Sequence, residues 1–394
     1  MKTTRRKLLK TGLFTVGGLT VAPHLSFSEQ WRQPVTLDRA GNVLYSPFFK
    51  EFLHRPFEEP KSILAKLNAN ENPYGPSPKA VSAHQQGIFK GNRYAWKELF
   101  TLMDQIAMKE GVERKNVMMG PGSSDLLEKT GMVLFLNGGN VVSADPSYMS
   151  LVRVAEATGA SWKGIPLKKD WSHDLEAMAD AIDSDTKLVY ICNPNNPTGT
   201  ITPTEKLKDF CLRVSEKVPV FIDEAYLEFL PESESKSMVS LVAEGKNVIV
   251  ARTFSKIHGM AGLRVGYVVA QETTLQEIQK ITRSGMGISY PSVMAASASL
   301  NDVDFQQKSQ KLNSEARAYL YKSLDSLGFE YLKSHTSFVL FPIEMEGKSF
   351  LKKMQSQHVA VRAFEINDRN WCRVSMGTLD EMKLFIEALS SVLS

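Results

Sequence analysis

The sequence predicts an α/β protein: a large domain with a mostly parallel central sheet flanked by helices, plus a smaller α+β domain. Three observations carry this reading. Through the middle of the chain, short apolar runs alternate with amphipathic or capped segments, the rhythm of strands separated by helices. Several of those runs end in a polar cluster, and in open α/β sheets ligands gather at the carboxyl ends of the strands. After Pro291 the rhythm gives way to a long helical stretch and sparser strands.

At 394 residues the chain has room for both parts, with 43% hydrophobic and 23% charged residues, as in ordinary globular proteins. The formal charge of +4 comes from the N-terminus. Lys2, Arg5, Arg6, Lys7 and Lys10 lie in residues 1–28 with no acid, and without them 42 basic residues face 43 acidic ones. Net charge therefore gives no argument for nucleic acid. The basic start, a weakly apolar run over residues 11–22 and small residues at Ser26 and Ser28 resemble a twin-arginine export signal before Glu29. The expectation is export to a periplasm, with a membrane tether if the signal stays uncleaved. Cys192, Cys211 and Cys372 form neither a disulfide framework nor a metal-ligand spacing, so no metal is expected.

The division expected is a signal at 1–28, an arm and part of the small domain at 29–90, a large domain at 91–295 and a small domain at 296–394. The arm, residues 29–61, holds Pro34, Pro47, Pro56 and Pro60 and reads as irregular, packing onto something such as a second subunit. Residues 67–76, L-N-A-N-E-N-P-Y-G-P, form a polar turn containing Asn72 and Tyr74. Tyr94 follows, ahead of a helix with Leu99, Leu102, Met103 and Ile106 on one face. A glycine turn with Ser123 and Ser124 opens the next helix, over residues 126–136. Strands are expected at 141–144, ending near Tyr148, at 188–192, ending in N-P-N-N-P-T-G with Asn196, and at 218–222, ending in Asp223 and Tyr226. Between the last two lies a helix with Thr202 as N-cap and Pro203 at its first position. In the smaller domain come a helix at 305–327, a strand at 337–341, a further helix, and apolar segments at 359–362 and 371–377. The last helix starts with a Thr378 and Glu381 capping box.

Residues 250–267, V-A-R-T-F-S-K-I-H-G-M-A-G-L-R-V-G-Y, are the centre of the chain's chemistry. Lys256 follows an apolar run that ends in Thr253 and Ser255, and Arg264 falls in a strand-like stretch, 263–270. A lysine kept from water beside a guanidinium is readily neutral, the state that forms a Schiff base. The hydroxyls and the arginine suit a phosphate beside it. For this stretch alone, a surface lysine followed by a chance arginine is the alternative.

Several motifs in order, N-E-N-P-Y-G-P, N-R-Y, G-x-G-S-S-D, D-P-S-Y, N-P-N-N-P-T-G, D-E-A-Y-L-E-F, T-F-S-K with G-L-R-V-G-Y, and R-V-S-M-G-T, resemble a known family from about residue 67 to the C-terminus. This is the fold-type I pyridoxal-phosphate aminotransferases, in the branch with histidinol-phosphate aminotransferase. The resemblance implies pyridoxal 5′-phosphate held covalently by Lys256, which also moves the substrate proton. It implies Asp223 on the pyridine nitrogen, Asn196 and Tyr226 on the ring oxygen, and Tyr148 stacked on the ring. Ser123, Ser124, Thr253, Ser255 and Arg264 would hold the phosphate, with Tyr94 reaching it from a second subunit of a homodimer. Arg373 would grip a substrate carboxylate, and Arg362, Asn72 and Tyr74 would serve the rest of the substrate.

The implied reaction moves an amino group from a small-molecule donor to a 2-oxo acid. A same-fold decarboxylase or C–S lyase, or an exported binding protein without turnover, stays open at this point. Two features depart from the branch: S-S-D in the glycine turn, and Ser337 where many relatives carry asparagine. Export also sits badly with histidine biosynthesis, which is cytoplasmic.

Overall fold

The computed structural model describes residues 36–53, 62–282 and 284–393. The expected export signal lies outside them. A seven-stranded sheet forms the large part, in the order Val117–Gly120, Gly266–Val269, Val248–Thr253, Val220–Asp223, Thr186–Cys192, Asn140–Asp145 and Ser161–Pro166. All neighbours pair in parallel except Gly266–Val269, which is antiparallel to both of its partners.

Alternation along the central strands explains why they are apolar throughout. Val220 and Ile222 enter one core while Phe221 enters the other, and Val248 and Val250 likewise oppose Ile249 and Ala251. Both faces are covered, as a parallel sheet requires. Burying each such large side chain contributes about 1.5–3 kcal/mol relative to leaving it in water.

A six-stranded antiparallel sheet builds the second part, in the order Thr36–Leu37, Val43–Ser46, Phe49–Phe52, Arg362–Ile366, Arg369–Ser375 and Phe338–Ile343. The helices Val303–Ser326, Gly347–Ser356 and Leu379–Leu393 pack on it through Leu320, Leu324, Phe350, Met354, Phe385 and Leu389. The capping box at Thr378 and Glu381 forms, with Thr378 N–H on Glu381 Oε2 at 2.8 Å and Glu381 N–H on Thr378 Oγ1 at 3.3 Å.

Three expectations are corrected. The leading arm is not irregular where it is described: Phe49–Phe52 pairs with Arg362–Ile366 of the same chain. Its alternating Phe49, Lys50, Glu51 and Phe52 suit a strand, and prolines flank it rather than interrupt it. The helix after Thr202 begins one residue late, as Thr204–Val214 with Pro203 at the cap. Thr202 Oγ1 is engaged by the buried His173 instead, at 2.7 Å from its Nδ1, while Thr202 N–H donates to Asn193 Oδ1 at 2.8 Å. Arg264 precedes its strand, in the left-handed region at φ +52°.

Candidate active site

The strand ends Cys192 and Asp223 lie side by side in the register of the large sheet, with Ala251 next to Asp223 and Thr253 two residues further along that strand. Lys256 follows the Val248–Thr253 strand, and its Nζ donates to the Asn70 carbonyl at 3.0 Å. The ammonium lies 5.4 Å from the centre of the Tyr226 ring. Burial, followed by the positive charge of Arg373, lowers its pKa to about 8. Arg264, the guanidinium expected from sequence to act on it, contributes in the same direction but less. The neutral amine is therefore far more populated near neutral pH than it is for an exposed lysine.

Asp223 is 3% exposed and accepts the Ala225 N–H at 3.1 Å and the Tyr190 hydroxyl at 3.4 Å. Burial raises its pKa to about 6. No arginine or lysine forms an ion pair with it among the described residues. A buried carboxylate with two neutral donors is an incomplete charge arrangement, and a cationic ring nitrogen would complete it.

The Tyr226 hydroxyl accepts from Asn70 Nδ2 at 3.0 Å, and Asn70 is fastened to Ser375 by bonds of 2.8 and 2.6 Å. Asn70 sits at φ +51°, a conformation asparagine tolerates better than most side chains. Thus residues from the polar turn, the large sheet and the second sheet meet at one amine.

An anion cradle lies beside it. Ser123 and Ser124 open the helix Ser123–Leu134, whose first N–H groups and dipole favour negative charge. Arg264 Nη1 donates to Ser255 Oγ at 3.3 Å, and Thr253 Oγ1 accepts the Ser255 N–H at 3.1 Å. A Cβ at Gly122 would strike the Arg264 guanidinium, and one at Gly266 would strike the Ser123 backbone. Two glycines thus let the arginine close on the helix start. Tyr148 joins this group through a 3.2 Å bond between its hydroxyl and Ser124 Oγ.

Arg373 is 3% exposed, lies between the Phe338 and Phe364 rings, and donates to Asn196 Oδ1 at 2.7 Å. Its Nε is buried without a partner, and burial, then Arg362, lowers its pKa to about 10. Arg373, Arg362, Tyr148 and Asn196 line one cavity of about 310 Å³. A paired, positively charged floor with an unused donor is a receptor for a carboxylate.

Other expected residues lie apart. Asn72 donates to the Ile257 carbonyl at 3.0 Å and to Ser309 Oγ at 3.1 Å, and Tyr74 lines a small separate cavity with Phe229 and Met376. Within one chain, Arg362 and Tyr74 therefore do not share a pocket. Tyr94 is 74% exposed and lies with Trp96 and Ile288. Sequence reasoning passed over Asn70 and Ser375, although both stand inside motifs it quoted, because neither has a side chain of distinctive reactivity. It also passed over Tyr45, Glu51 and Arg153 in the Arg373 cavity. The one signal for Glu51 was an acid on the same strand face as Phe49.

Residues 62–389 match the aminotransferase class I and II family. A histidinol-phosphate aminotransferase of Moorella thermoacetica is 35% identical over 347 residues, covering 86% of this chain and 89% of that protein. One from Cupriavidus pinatubonensis is 36% identical over 86% of this chain and 91% of its own length. Among solved structures, a histidinol-phosphate aminotransferase from Sinorhizobium meliloti in complex with pyridoxal-5′-phosphate superposes with a TM-score of 0.77 at 28% identity. It covers 84% of this chain and 92% of its own.

Proposed function

The chain belongs to the class I and II aminotransferases, and we propose that it uses pyridoxal 5′-phosphate to move an amino group from an amino acid or amino-phosphate to a 2-oxo acid. The observation that carries this is the depressed Lys256 amine set among the buried, cation-poor Asp223, the Tyr226 hydroxyl and the unfilled Arg373 donor. Lys256 would hold the cofactor's aldehyde carbon, and Asp223 the protonated ring nitrogen. Tyr226 and Asn196 would serve the ring oxygen, and Tyr148 would stack on the ring. Ser123, Ser124, Thr253, Ser255 and Arg264 would hold the phosphate.

When bound, the cofactor takes up the electron pair left at the donor's Cα after its proton departs. Lys256 Nζ would be the base that takes up that Cα proton and later gives it back. Its lowered pKa matches a group that must both take and release a proton near neutrality. Arg373 orients the donor by its α-carboxylate, and Asn196 braces the guanidinium from the other side. Phe338 and Phe364 keep water from that ion pair and strengthen it.

The active unit would be a homodimer in which Tyr94 of one copy reaches the phosphate held by the other. Support comes from an exposed apolar surface around Ile88, Phe89, Tyr94, Trp96 and Phe100. The twin-arginine-like start would export the folded, loaded protein, and fractionation after replacing Arg5 and Arg6 by lysine tests this.

The reaction itself is tested by screening amino donors, histidinol phosphate included, against 2-oxo acids. Transfer of the amino group, lost in Lys256→Ala together with the visible cofactor band, is the expected result. Release of carbon dioxide or ammonia without transfer would sink the assignment.

A further inference from the structure

The cavity that holds Arg373 contains two more guanidiniums, Arg362 and Arg153, and they stand on different terms. Arg362 and Arg373 are directly opposite each other on neighbouring strands, where like charges repel. Glu51, 4% exposed on the next strand over, offsets this: its Oε1 lies 3.0 Å from Arg362 Nη1. Its Oε2 accepts the Tyr45 hydroxyl at 2.5 Å, so both oxygens are used. An anion brought to Arg362 would therefore meet the buried Glu51 carboxylate beside it.

Arg153 has no such companion. It belongs to the helix Ser150–Ala157, which buries Leu151, Val152 and Ala155 in the core of the large sheet, while Ser150, Arg153 and Val154 line the cavity. Its guanidinium carbon lies 4.3 Å from the centre of the Tyr45 ring, which stacks on Phe49 at 4.6 Å. A ring face holds a guanidinium without using up its in-plane N–H donors. Arg153 Nη2 is accordingly buried with no hydrogen-bond partner. Glu128, the cavity's other carboxylate, is exposed, accepts the Ser150 hydroxyl at 2.8 Å and forms no ion pair with Arg153 among the described residues. Arg373 Nε is likewise buried and unpartnered, so one cavity of about 310 Å³ holds two guanidiniums with unused donors.

We propose that Arg153 is a specificity-determining residue: it takes a second anionic group, carboxylate or phosphate, at the far end of a substrate whose α-carboxylate sits on Arg373. The sequence pointed to Arg362 for the rest of the substrate; Glu51 holds Arg362, and the task passes to Arg153. Tyr45, which precedes the family match at residues 62–389, gives that guanidinium its seat. The inference rests on the reading that Arg373 takes the α-carboxylate.

The test measures equilibrium binding by calorimetry to the cofactor-loaded protein. The probes are glutarate, 4-phosphonobutyrate and valerate, in which a methyl group replaces the second anion. None carries an amine, so none turns over. At least one dianion should bind the wild type about tenfold or more tighter than valerate, the effect of one buried charge-assisted hydrogen bond. Arg153→Met should bring that advantage below about threefold and leave valerate unchanged. Arg153→Lys, which keeps the charge, should restore part of it. Glu51→Gln combined with Arg362→Gln removes the neighbouring pair without leaving a lone charge, and should keep the advantage. Dianions no tighter than valerate in the wild type overturn the proposal, as does an advantage that survives Arg153→Met. Loss of the advantage in the double variant overturns it too, and needs no Arg153 variant to fold. Failure of the underlying reading has a different mark: Arg373→Gln would bind valerate as tightly as the wild type.

Discussion

Two buried charge clusters grow from the same pair of strands, and they are built on opposite terms. Asp223 and Lys256 face the candidate site, where burial pushes the carboxyl up and the amine down, each toward its neutral form. The adjoining Glu224 and Arg252 face away and are joined at 2.8 Å from Nε to Oε2. Glu224 also accepts from Ser237 Oγ and Met238 N–H, at 2.8 and 2.7 Å. Glu110, Glu228 and His258 complete that network, and although burial opposes it, Glu110 and Glu224 hold the Arg252 charge firmly in place. One cluster is closed and structural; the other is left open, in the state that a charged ring and a substrate can complete. Burial raises the Glu224 carboxyl as well, so what separates the two clusters is the ion pair that Glu224 has with Arg252 and that Asp223 lacks among the described residues.

The comparison can be broken at either end. Asp223→Asn should cut amino-transfer activity about 10³- to 10⁴-fold, since the ring nitrogen loses its anion. The same change should stabilise the cofactor-free protein above pH 6 by about 1–3 kcal/mol in urea unfolding. The sign follows from a folded pKa of about 6, above the ordinary value of 3.8. The folded state binds more protons between those values, so stability falls as pH rises through that window, and Asn removes the loss.

Arg252→Met should do the reverse. It leaves Glu224 and its neighbours unpaired in the core, so unfolding should become about 3–5 kcal/mol easier. In whatever fraction stays folded, the Lys256 titration should move little, because Arg252 is not among the groups that shift it.

The smallest effect sharpens the contrast. Cofactor loading of the apoprotein, followed by its visible absorbance, should speed up with pH and level off above about 8, where the Lys256 amine is neutral. Arg373→Gln should raise that midpoint, because Arg373 is the leading charge that depresses it after burial. An unmoved midpoint would show that the two groups do not sense each other.

Much of this was legible in the chain. Apolar runs that alternate between two cores had to be strands of a covered sheet, and the polar residues at their ends, Asp223, Thr253 and Asn196, are brought to one edge because parallel strands point the same way. Local cues were weaker guides. Thr202 has the right chemistry for an N-cap but found a buried histidine 29 residues away in sequence. Arg264 looked like part of a strand because the apolar pattern runs on into Gly266–Val269, while its own backbone turns left-handed.

By itself the sequence determined the α/β class, the order of elements and the candidate lysine, since these depend on periodicity and residue type within short windows. Only the tertiary structure decided which guanidinium acts on Lys256, that Asn70 and Ser375 anchor its surroundings, and that Glu51 of the leading arm reaches Arg362. Those relations join residues up to 311 positions apart, from Glu51 to Arg362. They are set by sheet register and burial, which no local pattern encodes.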